Sequence, residues 1–197
     1  GRGERPDPRG LLLLSAIGIV THPFLDWMNT YGMRWLIPLK PSWYYADALF
    51  IVDPWIWVAL GAGVFMSARR QKQARAAPFL PARTALVAVG AYIVVMMVLA
   101  GVANRGVREA LAASGVRADT VVVEPIPVNP LSRRVIYLAG GAYQLSTYDL
   151  RHGVLTDPWF QIPLNADHPA VPIANRTPQG SEYHSWTRLP YYVIETA

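Results

Sequence analysis

His22 and Asp26 lie four positions apart in "THPFLDWMNTYG", and Asn29 follows three positions later. On a helix these spacings place an imidazole, a carboxylate and a carboxamide on one narrow face. An imidazole and a carboxylate one turn apart can converge on a divalent cation, and a metal-bound water is a common route to hydrolysis at neutral pH. The pair follows "LLLLSAIGIV" without a break, so it falls in a stretch that reads as lipid-embedded helix. An aspartate at mid-bilayer costs about 3 kcal/mol or more, and a bound cation would offset that penalty. Packing could do the same, with Asp26 capping or hydrogen-bonding within a helix bundle and His22 neutral, bonded to a carbonyl freed by Pro23. Spacing alone leaves both accounts open.

Other polar groups are placed by their neighbours. Asp47 precedes "ALFIV" and is expected to cap a helix there. Asp53 precedes Pro54, which suits a helix start, so it is either a capping carboxylate or a member of the site. Asp26, Asp47 and Asp53 fall near one membrane depth. His168 and His184 adjoin Asp167 and Glu182. Sequence neighbours on a strand point to opposite sides and chelate poorly, so these read as surface histidines. His152 in "LRHGV" reads as a hairpin turn residue. No serine lies in a nucleophile elbow. The absence of cysteine excludes disulfides and thiolate metal sites. "NRT" at 175–177 fits a glycosylation sequon, a pattern common by chance.

The elements that carry these groups are legible from apolar runs. The chain is 52% hydrophobic and 16% charged, with mean hydropathy +0.20, well short of the roughly 25% charge of soluble proteins. Three stretches approach the roughly 20 apolar residues of a bilayer span, at about 11–29, 48–66 and 84–103. Trp27, Trp35, Trp43, Tyr44, Tyr45, Trp55 and Trp57 cluster around the first connection, as an interfacial aromatic belt would. Arg69, Arg70, Lys72, Arg75 and Arg83 occupy the 67–83 connection without an acid, which places it in the cytoplasm together with Arg2, Arg5 and Arg9. The 30–47 loop and everything after 103 then lie outside. The apolar amino-terminal run is too long for a signal peptide and lacks a small-residue cleavage site. From 104 onward eight arginines balance eight acids. The net charge of +5 therefore belongs to the membrane part, as a topology signal rather than a nucleic-acid surface.

Beyond the third span, "NRGVREALAASGV" reads as a short amphipathic helix. "DTVVVEPIPVNP", "RRVIYLAGGAYQLSTYDL" and a last "YYVIET" read as strands. The expected fold is mainly α: about three transmembrane helices in residues 1–103, then a small extracytoplasmic α+β domain at 104–197.

"THPFLDWMNTYGMRWLIPLKPSWYYADALFIVDPWIW" resembles the core of the YdjM/YbcI-like membrane-bound metal-dependent hydrolases, inner-membrane-associated proteins also linked to LexA binding. The likeness is dense over 21–57 and looser over the three spans and "VNPLSRRVI". That family is related to the zinc-dependent phospholipase C and single-strand nuclease superfamily, whose sites use a His-x-x-x-Asp pair. The resemblance implies that His22 and Asp26 are metal ligands. It also implies that Asn29, Tyr31, Gly32 and Asp53 belong to the same pocket. The family's earlier segment, with further His and Asp residues and an HRG-x-THS type motif, is not present, so the chain is expected to be a shortened form. Two protein ligands are also fewer than the three a catalytic zinc usually takes.

The function expected on these grounds is a membrane-bound metal-dependent hydrolase acting on a phosphoester. A divalent ion, zinc by the resemblance, sits on His22 and Asp26. Asn29, Tyr31 and Asp53 are the catalytic candidates, with Asp53 holding the water or a second ion. The expected setting is the inner membrane, multi-pass, with the carboxy-terminal domain outside and an amphiphilic substrate at the membrane surface. The alternative is a non-catalytic interaction or scaffold protein, whose polar stripe packs helices and whose 104–197 domain binds a protein partner.

Overall fold

The structure, a computed structural model, describes residues 7–195. Arg2 and Arg5, part of the amino-terminal charge bias, lie outside them. Two helices begin on the same device, an aspartate before a proline. In α1 (Pro8–Met28) the Asp7 carboxylate accepts from the amides of Arg9 and Gly10 at 3.1 Å. In α2 (Pro54–Lys72) Asp53 does so from Trp55 and Ile56 at 3.0 and 3.3 Å. The carboxylates satisfy otherwise unpaired amides, and proline at the first helical position has no N–H to lose.

The second apolar run is shorter as a helix than the sequence suggests. Residues 48–53 are not helical, because Asp53 and Pro54 set the helix start. The apolar part of α2, 54–66, is then only about 20 Å long, against a hydrocarbon core of about 30 Å. Among the described residues the helices long and apolar enough to cross a bilayer are two, Pro8–Met28 and Leu80–Ala113, rather than three. α2 lies against α3 (Leu80–Ala113) at Gly63, where an added Cβ would stand 2.5 Å from the Ala85 Cβ and 3.1 Å from the Pro81 carbonyl oxygen. Ser67, buried in the same seam, accepts from the Ala82 amide at 3.0 Å. Small residues let the backbones approach.

α3 is 34 residues long, about 51 Å at helical rise, and passes position 103 without a break. "NRGVREALAASGV" is therefore its last part rather than a separate helix. The reason is burial on one side: Ala103, Val107 and Leu111, one turn apart, form a core with Val123, Val135, Tyr137 and Tyr148 of the sheet. The helix ends on Gly115 at φ +71, with Gly115 N–H donating to Ala112 and Val116 N–H to Leu111, the paired bonds of a Schellman cap.

The sheet is antiparallel, in the order β1 (Val121–Pro125), β2 (Ser132–Ala139), β3 (Ala142–Asp149), β4 (Val154–Leu155), with β5 (Phe160–Pro163) also paired to β3. β2 and β3 turn on Gly140 and Gly141, both at positive φ, as a two-residue hairpin requires. His152 sits in the turn after β3 and meets Asp149 at 3.0 Å. Two short helices follow, α4 (Ala170–Asn175) and α5 (Pro178–Trp186), with His168 and His184 both exposed. Residues 191–195 form no strand, contrary to the sequence pattern; side-chain and isolated backbone bonds tie them down instead, among them Tyr192 N–H to the Leu164 carbonyl at 3.2 Å.

Candidate functional site

The carboxyl end of α1 meets both the loop that follows it and the far end of the chain. Its last carbonyls are taken up by that loop: Ala46 N–H donates to Trp27, and Ala48 and Leu49 N–H to Met28, at 2.9–3.0 Å. Met28, Ala48, Leu49, Met96 and Ala100 close a small core beneath them. Elsewhere α1 is almost bare, with 6% of its apolar window buried.

His22 Nε2 and Asp26 Oδ2 converge to 3.3 Å on this last part of α1, the imidazole 78% exposed and the carboxylate 35%. Both donors are accessible. Among the described residues no group of three or more His, Asp or Glu side chains could hold a metal ion. A divalent ion is therefore offered two donors of suitable chemistry, one short of a catalytic zinc's usual three.

The remaining sequence candidates divide between two cavities. Asp26 and Tyr31 line a cleft of about 490 Å³ with Trp43, Tyr45, Trp186 and Arg188. Asn29 and Asp53 line a smaller one of about 250 Å³ with Leu25, Leu49 and Ile56. His22 lines neither of these. Asn29 is buried, and its Oδ1 accepts from the Tyr31 amide at 2.7 Å, a turn that starts the chain reversal after α1. Gly32, at φ +75, lies so close to the Tyr45 ring that no side chain fits there. Asp53 is buried: one carboxylate oxygen caps α2 and the other accepts from the Tyr92 hydroxyl at 3.0 Å.

Asp47 does not cap a helix. It has left-handed backbone, φ +48, and its carboxylate is held by both terminal nitrogens of Arg188 at 2.7 and 2.6 Å. Arg188 also stacks over Tyr45, 3.9 Å from the ring centroid. Burial raises the Tyr45 phenol above its ordinary range, against the pull of Arg188. Trp43 Nε1 donates to the Ser185 carbonyl at 3.0 Å, and Arg34 donates to the same oxygen while lying over the Trp43 ring. Residues 185–188 thus form a strap that walls the Asp26 cleft. Beneath the loop, fully buried Arg133 donates to the carbonyls of Asp47 and Ala48 at 3.2 and 3.3 Å. Burial lowers its pKa, and its Nε and Nη2 find no partner among the described residues.

Sequence reasoning missed Arg188, Trp186, Arg133 and Tyr92. Two of them left a trace. In "SRRVIYLA" strand alternation turns one arginine of the pair inward, and Tyr92 is a hydroxyl in an otherwise apolar span. Nothing near Arg188 or Trp186 in the chain points to a cleft on α1.

Two bilayer-length helices and an antiparallel sheet, with a polar site at the end of one helix, define a membrane-associated α+β protein. Residues 4–104 match the model of the YdjM inner membrane protein family, half of the chain, and the chain belongs to that family. No curated protein and no solved structure matches it. The matched segment ends inside α3, so the sheet and the strap lie beyond it.

Proposed function

We propose that the chain is a membrane-bound metal-dependent hydrolase that cleaves a phosphoester. The observation that supports this is the approach of His22 Nε2 to Asp26 Oδ2, 3.3 Å apart, an ionisable pair on successive turns near the headgroup end of a bilayer-length helix. A bound divalent ion, zinc in the related superfamily, would lower the pKa of a water and polarise a phosphoryl oxygen. His22 and Asp26 supply two of its ligands. Tyr31, exposed on the Asp26 cleft, is positioned to meet a ligand there. Asn29 and Asp53 act through structure, one reversing the chain after α1 and the other starting α2.

α2, though less apolar than α1 and α3, runs back antiparallel to α3, from Asp53 at Tyr92 to Ser67 at Ala82. The loop after α1 therefore shares one face of the membrane unit with the 104–197 domain, and the basic 67–83 connection takes the other. Assigning that basic face to the cytoplasm puts the domain and the cleft outside the inner membrane. One observation favours a non-catalytic scaffold instead: Asn29, Asp47 and Asp53 are all engaged in bonds that hold the fold.

Metal analysis of detergent-purified protein, beside the His22→Ala, Asp26→Ala double variant, tests the hydrolase. Bound zinc or manganese in the parent and none in the variant is expected, together with hydrolysis of bis(p-nitrophenyl) phosphate by the parent alone. Equal metal content in the two would reject the assignment. Metal without hydrolysis of any phosphoester would leave the scaffold.

A further inference from the structure

The cleft beside Asp26 has a fixed relation to the bilayer. α1 is 21 residues long, about 31 Å, which matches the hydrocarbon thickness, so its last turn lies at the boundary with the headgroups. Asp26 is two positions from the end of that helix. Four aromatic side chains line the cleft, Tyr31, Trp43, Tyr45 and Trp186, and two of them, Tyr31 and Trp186, are 66% and 61% exposed. Aromatic rings are at home at this depth. The volume, about 490 Å³, is that of a small-molecule site.

Charge narrows the occupant. The guanidinium in the cleft, Arg188, is already bound on both terminal nitrogens by Asp47 and stacked on Tyr45. It has little left for a phosphate or carboxylate. Asp26 adds a carboxylate with 35% exposure. An acid beside open aromatic faces attracts an ammonium group, by Coulomb attraction and by cation–π contact. We propose that this cleft binds the polar head of a bilayer lipid carrying an ammonium group, with Tyr31 and Trp186 as the contact faces and Asp26 as the counter-charge. Trp186 comes from the strap beyond the family-matched residues, so the carboxy-terminal segment supplies half of the site. Asp26 serves either a divalent ion or the ammonium group, so this lipid site is the metal-free state of the cleft and does not rest on the hydrolase assignment.

Native mass spectrometry of the full chain in detergent, with a chelator present, tests it. The protein is titrated with phosphatidylethanolamine and with phosphatidylglycerol of the same acyl chains. The ethanolamine lipid is expected to be retained about five-fold more strongly, a difference of the size one ammonium–aromatic contact provides. Tyr31→Ala with Trp186→Ala should bring the two lipids level, and Asp26→Asn, which keeps the shape, should remove most of the preference. Trp159→Ala, an exposed tryptophan on the sheet domain, should change nothing. Equal retention of the two lipids by the parent, or an unchanged preference in the cleft variants, overturns the proposal. Full displacement of the lipid by equimolar glycerophosphoethanolamine overturns the bilayer as the source, because a soluble head group would then suffice.

Discussion

Arg188 grips Asp47 across 141 positions of sequence, Nη1 to Oδ1 at 2.7 Å and Nη2 to Oδ2 at 2.6 Å, with both side chains largely buried. Removing either partner leaves a charge in a poorly hydrated place, which costs about 3 kcal/mol, whereas removing both leaves none. Asp47→Ala and Arg188→Ala should each lower thermal stability in detergent markedly, and the double variant should lose far less than their sum. Arg188→Lys should not restore the loss, since an ammonium cannot reproduce a two-pronged bond and a stacked ring together. Additive losses in the double variant would mean that the strap is held by something else.

Asp53 serves two structures at once, the start of α2 and the Tyr92 hydroxyl of α3. Tyr92→Phe should cost about 1 kcal/mol. Asp53→Ala, which loses the cap as well, should cost about 2 kcal/mol. If Asp53 only holds helices, metal content and phosphoester hydrolysis in Asp53→Asn should follow the folded fraction, measured by circular dichroism on the same samples. A loss of hydrolysis by orders of magnitude in fully folded protein would instead place Asp53 in the chemistry.

The seam between α2 and α3 closes on Gly63. Gly63→Val must push Ala85 or the Pro81 backbone aside, and overpacking of this kind costs about 1–3 kcal/mol. Gly61, two positions earlier, has nothing within 4 Å of a built Cβ. Gly61→Val should therefore be tolerated. A comparison of the two variants by thermal unfolding separates packing from helix propensity, and equal behaviour would show that the seam is not close-packed.

Glu124 predicts a pH dependence. Burial holds its carboxyl above the ordinary carboxylate range, against the pull of Arg134 at 3.3 Å. The folded state then keeps the proton more tightly than the unfolded chain. Ionisation therefore subtracts stability as pH rises through the unfolded carboxylate range to the raised folded one, and the loss persists above it. Glu124→Gln removes that loss, so the melting temperature of the variant relative to the parent should be higher at pH 7 than at pH 4. The opposite order would mean that the Arg134 pair outweighs burial.

Much of the architecture was legible because its causes are local. Asp53 with Pro54 announced a helix start, the alternation in "RRVIYLAGGAYQLSTYDL" announced strands, and the apolar lengths of α1 and α3 a membrane. The spacing of His22 and Asp26 announced that they share a face, and they do meet at 3.3 Å. Two errors came from reading composition where geometry rules. The apolar run at 48–66 looked like a span although its own aspartate and proline delay the helix. The polar residues after 103 looked like a new helix although nothing there interrupts the old one.

What the sequence determined by itself, then, was where helices and turns begin and which side chains share a helical face, since capping, φ preference and periodicity act over a few residues. Tertiary structure alone decided which charge answers Asp47, that Arg133 is buried under the loop, and that Trp186 and Arg188 wall the cleft at Asp26. Those pairings depend on how the sheet seats against α3 and returns the chain to α1. That return is set by the burial of Ala103, Val107 and Leu111 against the sheet, many residues away from any of the groups it brings together.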